Sequence, residues 1–332
     1  MGESLQLGIL GCGNFATRRI LPALQKISAI SVVALQKRDV KEARHLAEKY
    51  NIPHAVSTRA ELLNIPQIEA ILIATPNHMH EEDALASAKH HKPVLCEKPL
   101  APSSKAIIAM ISAFKRQNLL LCVGQSLRFK FCLQKAKELL HSNKLGALQN
   151  IYAHFSVPLP QNSWKRLKAA GGGVLQDIGV HLIDLIRFIS GQEIATIYAS
   201  FNSGYQATSP EAEHTAYITC CLTNQTICKF ECSFNQAFAC GFKVTGSNAS
   251  IISNHSLVQS DDLAETLCLI ERNIKTYLPI PVSNIYADEL LHFADTLQGE
   301  PSIIMAEEGL LNQKVIEAAY LSAQNGHSVQ VR

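Results

Sequence analysis

The chain has 332 residues, 47% of them hydrophobic, which suffices for two cores, and it sets 30 Lys and Arg against 28 Asp and Glu for a net charge of +2. The basic residues are scattered rather than gathered into one stripe, which argues against a nucleic-acid partner. No run reaches the ~18 uncharged apolar residues of a membrane span, and an acidic Glu3 stands where a signal peptide is basic, so a cytoplasmic protein without membrane association is expected.

From the N-terminus, short apolar runs of strand length alternate with helical patterns. The runs are Leu5–Leu10, Ser31–Leu35, Ile68–Thr75, Pro93–Glu97 and Leu119–Val123; the helices are Thr17–Lys26, Val40–Tyr50, Glu81–His91 and Ser103–Gln117. This rhythm predicts an α/β domain over residues 1–124, a doubly wound parallel sheet of Rossmann type. Beyond it the grammar changes. A helix near Cys132–Asn143 and a second one from Gly171-Gly172-Gly173 to about Ser190 precede the runs Ile194–Ser203, Ala212–Leu222, Thr226–Ser233, Gly241–Thr245 and Ser250–Ser253. No helices separate these runs, so residues 125–332 are predicted to form an α+β domain with a large, mostly antiparallel open sheet, closed by helices at Tyr286–Gln298 and Met305–Asn325. The ten cysteines are irregularly spaced and form no Cys-x-x-Cys, which reads as reduced, buried thiols rather than disulfides or zinc ligands.

Gly11-Cys12-Gly13-Asn14-Phe15-Ala16 follows a predicted strand and opens a predicted helix. The first glycine suits a tight turn, the second lets backbone approach a pyrophosphate, and Ala16 permits close packing. Gly11, Gly13, Asn14 and Phe15 are therefore assigned to a dinucleotide. At the end of the second strand, Lys37 and Arg38 stand where an NAD site would place a carboxylate, which favours the 2′-phosphate of NADP over NAD unless Asp39 takes the ribose.

Cys96-Glu97-Lys98-Pro99-Leu100 ends the run Pro93–Glu97, beyond which a doubly wound sheet binds its ligands. Together with Gly11-Cys12-Gly13, Ala74-Thr75-Pro76-Asn77-His78-Met79-His80 and the segment from Gly171-Gly172-Gly173 through Gln176-Asp177-Ile178-Gly179-Val180-His181 to Asp184, this motif resembles the glucose-fructose oxidoreductase, inositol dehydrogenase and MocA family nearly end to end. The resemblance implies that Lys98 lies beside nicotinamide and substrate, that Glu97 belongs to the cofactor site, that Lys98–Pro99 is a candidate cis bond, and that Thr75, Asn77 and His80 line the cofactor. Gln125-Ser126-Leu127-Arg128-Phe129 is a variant of a family segment through which Gln125 and Arg128 would touch substrate.

Asp177, His181 and Asp184 are spaced i, i+4 and i+7, which places all three on one face of a helix. Without a second histidine they are a poor metal set, and no metal is expected. Asp184 reads best as a structural partner. The resemblance places His181 opposite Lys98, and an imidazole is suited to taking a proton at neutral pH. In the implied mechanism His181 is the acid–base group, Lys98 stabilises the developing alkoxide, and Asp177 holds substrate hydroxyls or orients the imidazole. Trp164 is either a wall for a sugar ring or a core residue.

The resulting expectation is an NAD(P)-dependent oxidoreductase acting on a sugar, inositol or related polyol. The alternatives are a non-catalytic dinucleotide-sensing regulator of the same fold and a reductase of a non-sugar carbonyl of dihydrodiol or biliverdin type. The apolar content of the later strands, with Tyr217, Ile218, Cys220, Leu222, Ile227 and Phe230, further predicts a homodimer, or a tetramer built from dimers, joined through the second domain.

Overall fold

Apolar runs near the N-terminus pair in parallel as β1 (Leu5–Leu10), β2 (Ile30–Gln36), β3 (His54–Val56), β4 (Ala70–Ile73), β5 (Val94–Glu97) and β6 (Leu121–Gly124), in the order β3-β2-β1-β4-β5-β6. The computed structural model describes residues 4–201, 210–258 and 265–332. Met1-Gly2-Glu3 and the last two residues of the expected run Ile194–Ser203 lie outside the described residues. The crossovers are α1 (Leu21–Leu24), α2 (Val40–Tyr50), α3 (Arg59–Leu63), α4 (His80–Lys89) and α5 (Ser104–Arg116). Every residue of β4 is buried, as a parallel strand covered on both faces requires. Ile71, Ile73, Val94, Cys96, Ile107, Met110 and Phe114 belong to one apolar cluster of this layer. β3 escapes sequence reading because its three residues are exposed or half-buried and form no apolar run.

Ahead of the second sheet lies α6 (Phe131–His141), and α7 (Val180–Ser190) follows its first strand, β7 (Leu148–Ser156). The other strands are β8 (Ile194–Phe201), β9 (Thr215–Leu222), β10 (Ile227–Ser233), β11 (Ala239–Gly246), β12 (Ala249–Asn254), β13 (Thr266–Glu271), β14 (Ile274–Tyr277) and β15 (Val329–Gln330). Their order is β14-β13-β12-β11-β7-β10-β9-β8-β15, antiparallel except for the parallel pair β7–β10. β7 is central yet absent from the predicted runs, because Gln149, Asn150 and His154 interrupt its apolar residues. Its alternation is nevertheless clean: Ile151, Ala153 and Phe155 are buried and Tyr152 is exposed.

The same alternation corrects one premise about assembly. Ile218, Cys220, Leu222 and Phe230 are buried within the unit, and only Tyr217 and Ile227 of the six face outward, joined by Tyr152 and Tyr198. All ten cysteines are free thiols, and all but Cys221 are buried.

The described structure divides into two compact units, Met1–Gln125 with Asn284–Leu311, and Ser126–Ser283 with Asn312–Arg332. Sequence grammar assigns everything after residue 124 to the second domain, but α8 (Ile285–Leu297) and the start of α9 (Ala306–Asn325) belong to the first unit. The open edge of β6 explains this: Val123 donates its amide to Ile304 at 2.8 Å, and Cys122 bridges to Met305.

Lys168–Ser190, 23 residues, is long and apolar enough by composition to cross a membrane, but its apolar window is 67% buried inside the structure. That is the behaviour of a core helix.

Candidate active site

In the first unit, Gly11 has φ +86°, and a Cβ there would lie 2.5 Å from the Thr75 amide nitrogen, so only glycine fits between β1 and β4. Gly13 differs. A Cβ on it would meet nothing closer than 3.9 Å, which leaves its backbone open to close approach from outside. This bare backbone fits a dinucleotide pyrophosphate. Asn14 is exposed beside it, while Phe15 packs edge-on against Tyr286 of α8 with centroids 5.5 Å apart. The helix that follows starts as a π-turn, Ala16–Ile20, rather than the regular helix expected.

At the end of β2, Gln36 accepts from the Gly11 amide at 3.1 Å and donates to Ser57 O at 2.8 Å, tying the glycine turn to its neighbour. Asp39 caps α2 by accepting from the amides of Lys41 and Glu42 at 2.8 and 3.1 Å. Its carboxylate is thus engaged in capping. Lys37 reaches Glu42 at 3.0 Å and Cys12 O at 3.3 Å, and Arg38 is exposed.

Thr75 donates its hydroxyl to Asp83 at 2.7 Å, and Asp83 also accepts from Arg59 at 2.7 Å. Asn77 is 9% exposed on the next turn. The structure gives His80 a task other than the expected cofactor contact. It is 1% exposed, and its Nε2 lies 2.8 Å from Thr75 O while its Nδ1 lies 2.9 Å from Pro99 O. His80 therefore clamps the turn after β4 to the turn after β5. Burial holds its pKa below the ordinary imidazole value, against the pull of these carbonyls and of Asp83.

Lys98–Pro99 is cis. Lys98 donates its amide to Glu97 at 3.3 Å. Burial, opposed by the Lys98 charge, pushes the Glu97 carboxyl up to about 7. Glu289 of α8 is 1% exposed, and burial together with the nearby Glu97 raises it well above the usual carboxylate range. Gln125, at the end of β6, is 1% exposed, and neither of its amide atoms has a hydrogen-bond partner among the described residues.

In the second unit, Gly171 and Gly173 have positive φ, and a π-turn, Leu175–Gly179, leads into α7. From Gly172 to Ser190 every residue is buried except Asp177 and His181. The helix thus presents two chemical groups and otherwise core. Lys165 donates to both carboxylate oxygens of Asp177 at 2.8 and 2.9 Å. His181 lies against Phe155, with ring centroids 6.3 Å apart. Trp164, beside Lys165, is 41% exposed and so is no core residue.

Asp184 does not share the Asp177–His181 face. It is 2% exposed and accepts from Arg128 Nε and Nη2 at 2.9 and 2.6 Å and from Asn312 at 2.9 Å. Burial pushes its carboxyl up, but Arg128, Asn312 and Arg187 outweigh that and hold it below the usual value. Arg128, expected at the substrate, is 4% exposed and serves as the fork of this ion pair. Sequence reading missed Tyr286, Glu289 and Lys165; a lysine one residue from the singled-out Trp164 was the only local signal for any of them. Among the described residues no group of three His, Cys, Asp or Glu side chains is placed to hold a metal ion.

A model described as oxidoreductase family, NAD-binding Rossmann fold, matches residues 5–125, and one for the GFO/IDH/MocA C-terminal domain matches residues 133–252. Along 331 residues, covering 98% of both chains, the sequence is 25% identical to 1,5-anhydro-D-fructose reductase of Ensifer adhaerens. It is 32% identical over 203 residues, 59% of this chain and 60% of the other, to trans-1,2-dihydrobenzene-1,2-diol dehydrogenase of Danio rerio. In fold it is similar to the aldose-aldose oxidoreductase of Caulobacter crescentus crystallised with glycerol, with a TM-score of 0.92 at 23% identity over 99% of this chain and 100% of that one.

Proposed function

The chain belongs to the GFO/IDH/MocA family of NAD(P)-dependent oxidoreductases, and on that premise we propose that it oxidises a carbinol, or reduces the matching carbonyl, of a sugar, inositol or related polyol. The observation that carries this reading is the selective exposure of Asp177 and His181 on an otherwise buried helix. Burying a carboxylate or an imidazole is costly unless it is fully paired, and on this helix Asp177 and His181 alone stay accessible, as groups that meet a substrate must.

The bound nicotinamide supplies the hydride acceptor or donor. A ring nitrogen of His181 takes the hydroxyl proton as the carbinol is oxidised and returns it in the reverse direction. The Lys98 ammonium donates to the oxygen on which negative charge grows. Asp177, held by Lys165 through both carboxylate oxygens, is the group that takes the substrate hydroxyls. Gln125 brings an amide whose hydrogen-bonding capacity the described residues leave unused, suited to a polar ligand. Exposed Trp164 offers a flat apolar face to a sugar ring.

Among the first unit's groups, Gly11, Gly13 and Asn14 would hold the dinucleotide phosphates, with Phe15, Thr75, Asn77 and Glu97 along it. NADP is the preferred cofactor in this reading, because Asp39 is spent on capping α2 while exposed Arg38, with Lys37 beside it on Glu42, puts cations at the ribose end. A cytoplasmic homodimer, or a tetramer of dimers, joined through the outward face of the second sheet, completes the proposal. Tyr152, Tyr198, Tyr217 and Ile227 are each at least 38% exposed there.

The test is a panel of polyols, aldoses, dihydrodiols and dicarbonyls assayed by nicotinamide absorbance with NAD(H) and NADP(H) in parallel. Turnover of a polyol or aldose is expected. Turnover confined to dihydrodiols or dicarbonyls would overturn the substrate class, and cofactor binding without any turnover would point to a sensor.

A further inference from the structure

The helix that presents Asp177 and His181 has no cap of its own. Val174 precedes it without a side-chain hydrogen bond, and a helix start leaves amide hydrogens unsatisfied. The missing acceptors come from a distant segment. Glu213 accepts from the Val174 amide through its backbone oxygen at 3.0 Å and from the Leu175 amide through Oε1 at 2.8 Å.

We infer that Glu213 is a positioning residue for the Asp177–His181 face, a helix cap supplied from across the fold. The inference rests on the reading of Asp177 and His181 as the groups that meet the substrate. Three further observations support it. Glu213 is 1% exposed and is itself fixed by Tyr320, whose hydroxyl donates to the two carboxyl oxygens at 2.9 and 3.0 Å. A Cβ on Gly173, where φ is +121°, would stand 2.6 Å from Glu213 Oε1 and 2.8 Å from the Tyr320 hydroxyl. The third glycine of the triplet is therefore required by the carboxyl group seated against it.

The segment around Glu213 also secures the other end of the glycine loop. Ala212 donates its amide to Arg166 O at 2.8 Å, and Lys168 donates to Pro210 O at 3.0 Å. One strap thus holds Lys165 and Asp177 at the two ends of a loop whose own closure is the bond from the Gly173 amide to Lys165 O at 2.9 Å. Burial raises the Glu213 carboxyl to about 7, against the Leu175 amide, the Tyr320 hydroxyl and the Lys168 charge, so a neutral acceptor of the same shape should replace it.

The experiment compares Glu213→Ala, Glu213→Gln and Tyr320→Phe in the full chain. Amide hydrogen exchange over residues 174–181 is measured by mass spectrometry, and kcat and KM are taken for the most active aldose or polyol of the panel above. In Glu213→Ala, exchange should quicken and kcat should fall, each by about fivefold to tenfold or more, the scale of a lost cap, with cofactor KM unchanged. Glu213→Gln should restore both to within about threefold, since its Oε1 still accepts the Leu175 amide. Unchanged exchange and kcat in Glu213→Ala, or a Glu213→Gln as impaired as Glu213→Ala, would overturn the inference. Should Glu213→Ala fail to fold, Tyr320→Phe carries the test: faster exchange at 174–175 supports the cap and unchanged exchange refutes it. Full turnover in His181→Ala would instead sink the reading beneath, whatever the exchange data show.

Discussion

Replacing Glu213 by Gln should change how stability depends on pH, and the size of the change follows from its surroundings. Its carboxyl is raised from the ordinary 4.5 to about 7, chiefly by burial. A shift of that size corresponds to about 3 kcal/mol at about 1.4 kcal/mol per pH unit. Between those two values the folded chain holds a proton that the unfolded chain has released. The group's contribution is therefore fully present below about pH 4.5 and is lost as pH rises through about 7. Gln cannot titrate and keeps the acceptor for Leu175, so the variant should gain on the native chain by about 3 kcal/mol across that window.

Trp164, the one tryptophan, sits in a segment strapped to residues 210–212, so its fluorescence in urea reports this part of the second unit. Midpoints would be compared for both proteins at several pH values from about 4.5 to 8. All other titrating groups are common to the pair. A stability difference that stays constant with pH would refute the buried-carboxyl reasoning.

Lys98→Met and His181→Ala should each retain cofactor binding, measured by nicotinamide fluorescence, while losing about 10²–10⁴-fold in kcat; near-normal turnover in both would refute their roles. Lys37→Asp with Arg38→Leu should raise the Kd for NADPH much more than that for NADH, and equal effects would make these residues mere surface. Arg128→Ala leaves Asp184 buried beside Asn312 without its fork, so a loss of about 3–5 kcal/mol in unfolding free energy is expected. A folded Arg128→Ala of native stability with only a raised substrate KM would instead return Arg128 to the substrate. Sedimentation at micromolar protein should give at least twice the chain mass, and Tyr217→Lys with Ile227→Lys should shift it toward monomer; a native monomer would overturn the proposed sheet-to-sheet association.

What could be read from the residues alone was whatever neighbours in the chain encode. Continuous apolar runs mark strands buried on both faces, so β1, β2, β4, β5 and β6 were legible, and the glycine turn was legible because its steric demand is local. The spacing of Asp177 and His181 correctly placed both on one face, since four residues nearly close a turn in either an α-helix or a π-turn. Asp184 was drawn onto that face because spacing alone does not show that Arg128 and Asn312, distant in the chain, claim its carboxylate. The polar residues within β7 hid a central strand that only its partners on both sides make necessary. Asn284–Leu311 joins the first unit because β6 has an open edge to fill, a demand created nearly two hundred residues earlier in the chain. The engagement of Lys165, Glu213 and Arg128 depends on groups that folding brings in from elsewhere. Hydrogen bonds and ion pairs are satisfied by proximity in space, whereas periodicity records only proximity along the chain, and that difference left these partners to the tertiary structure.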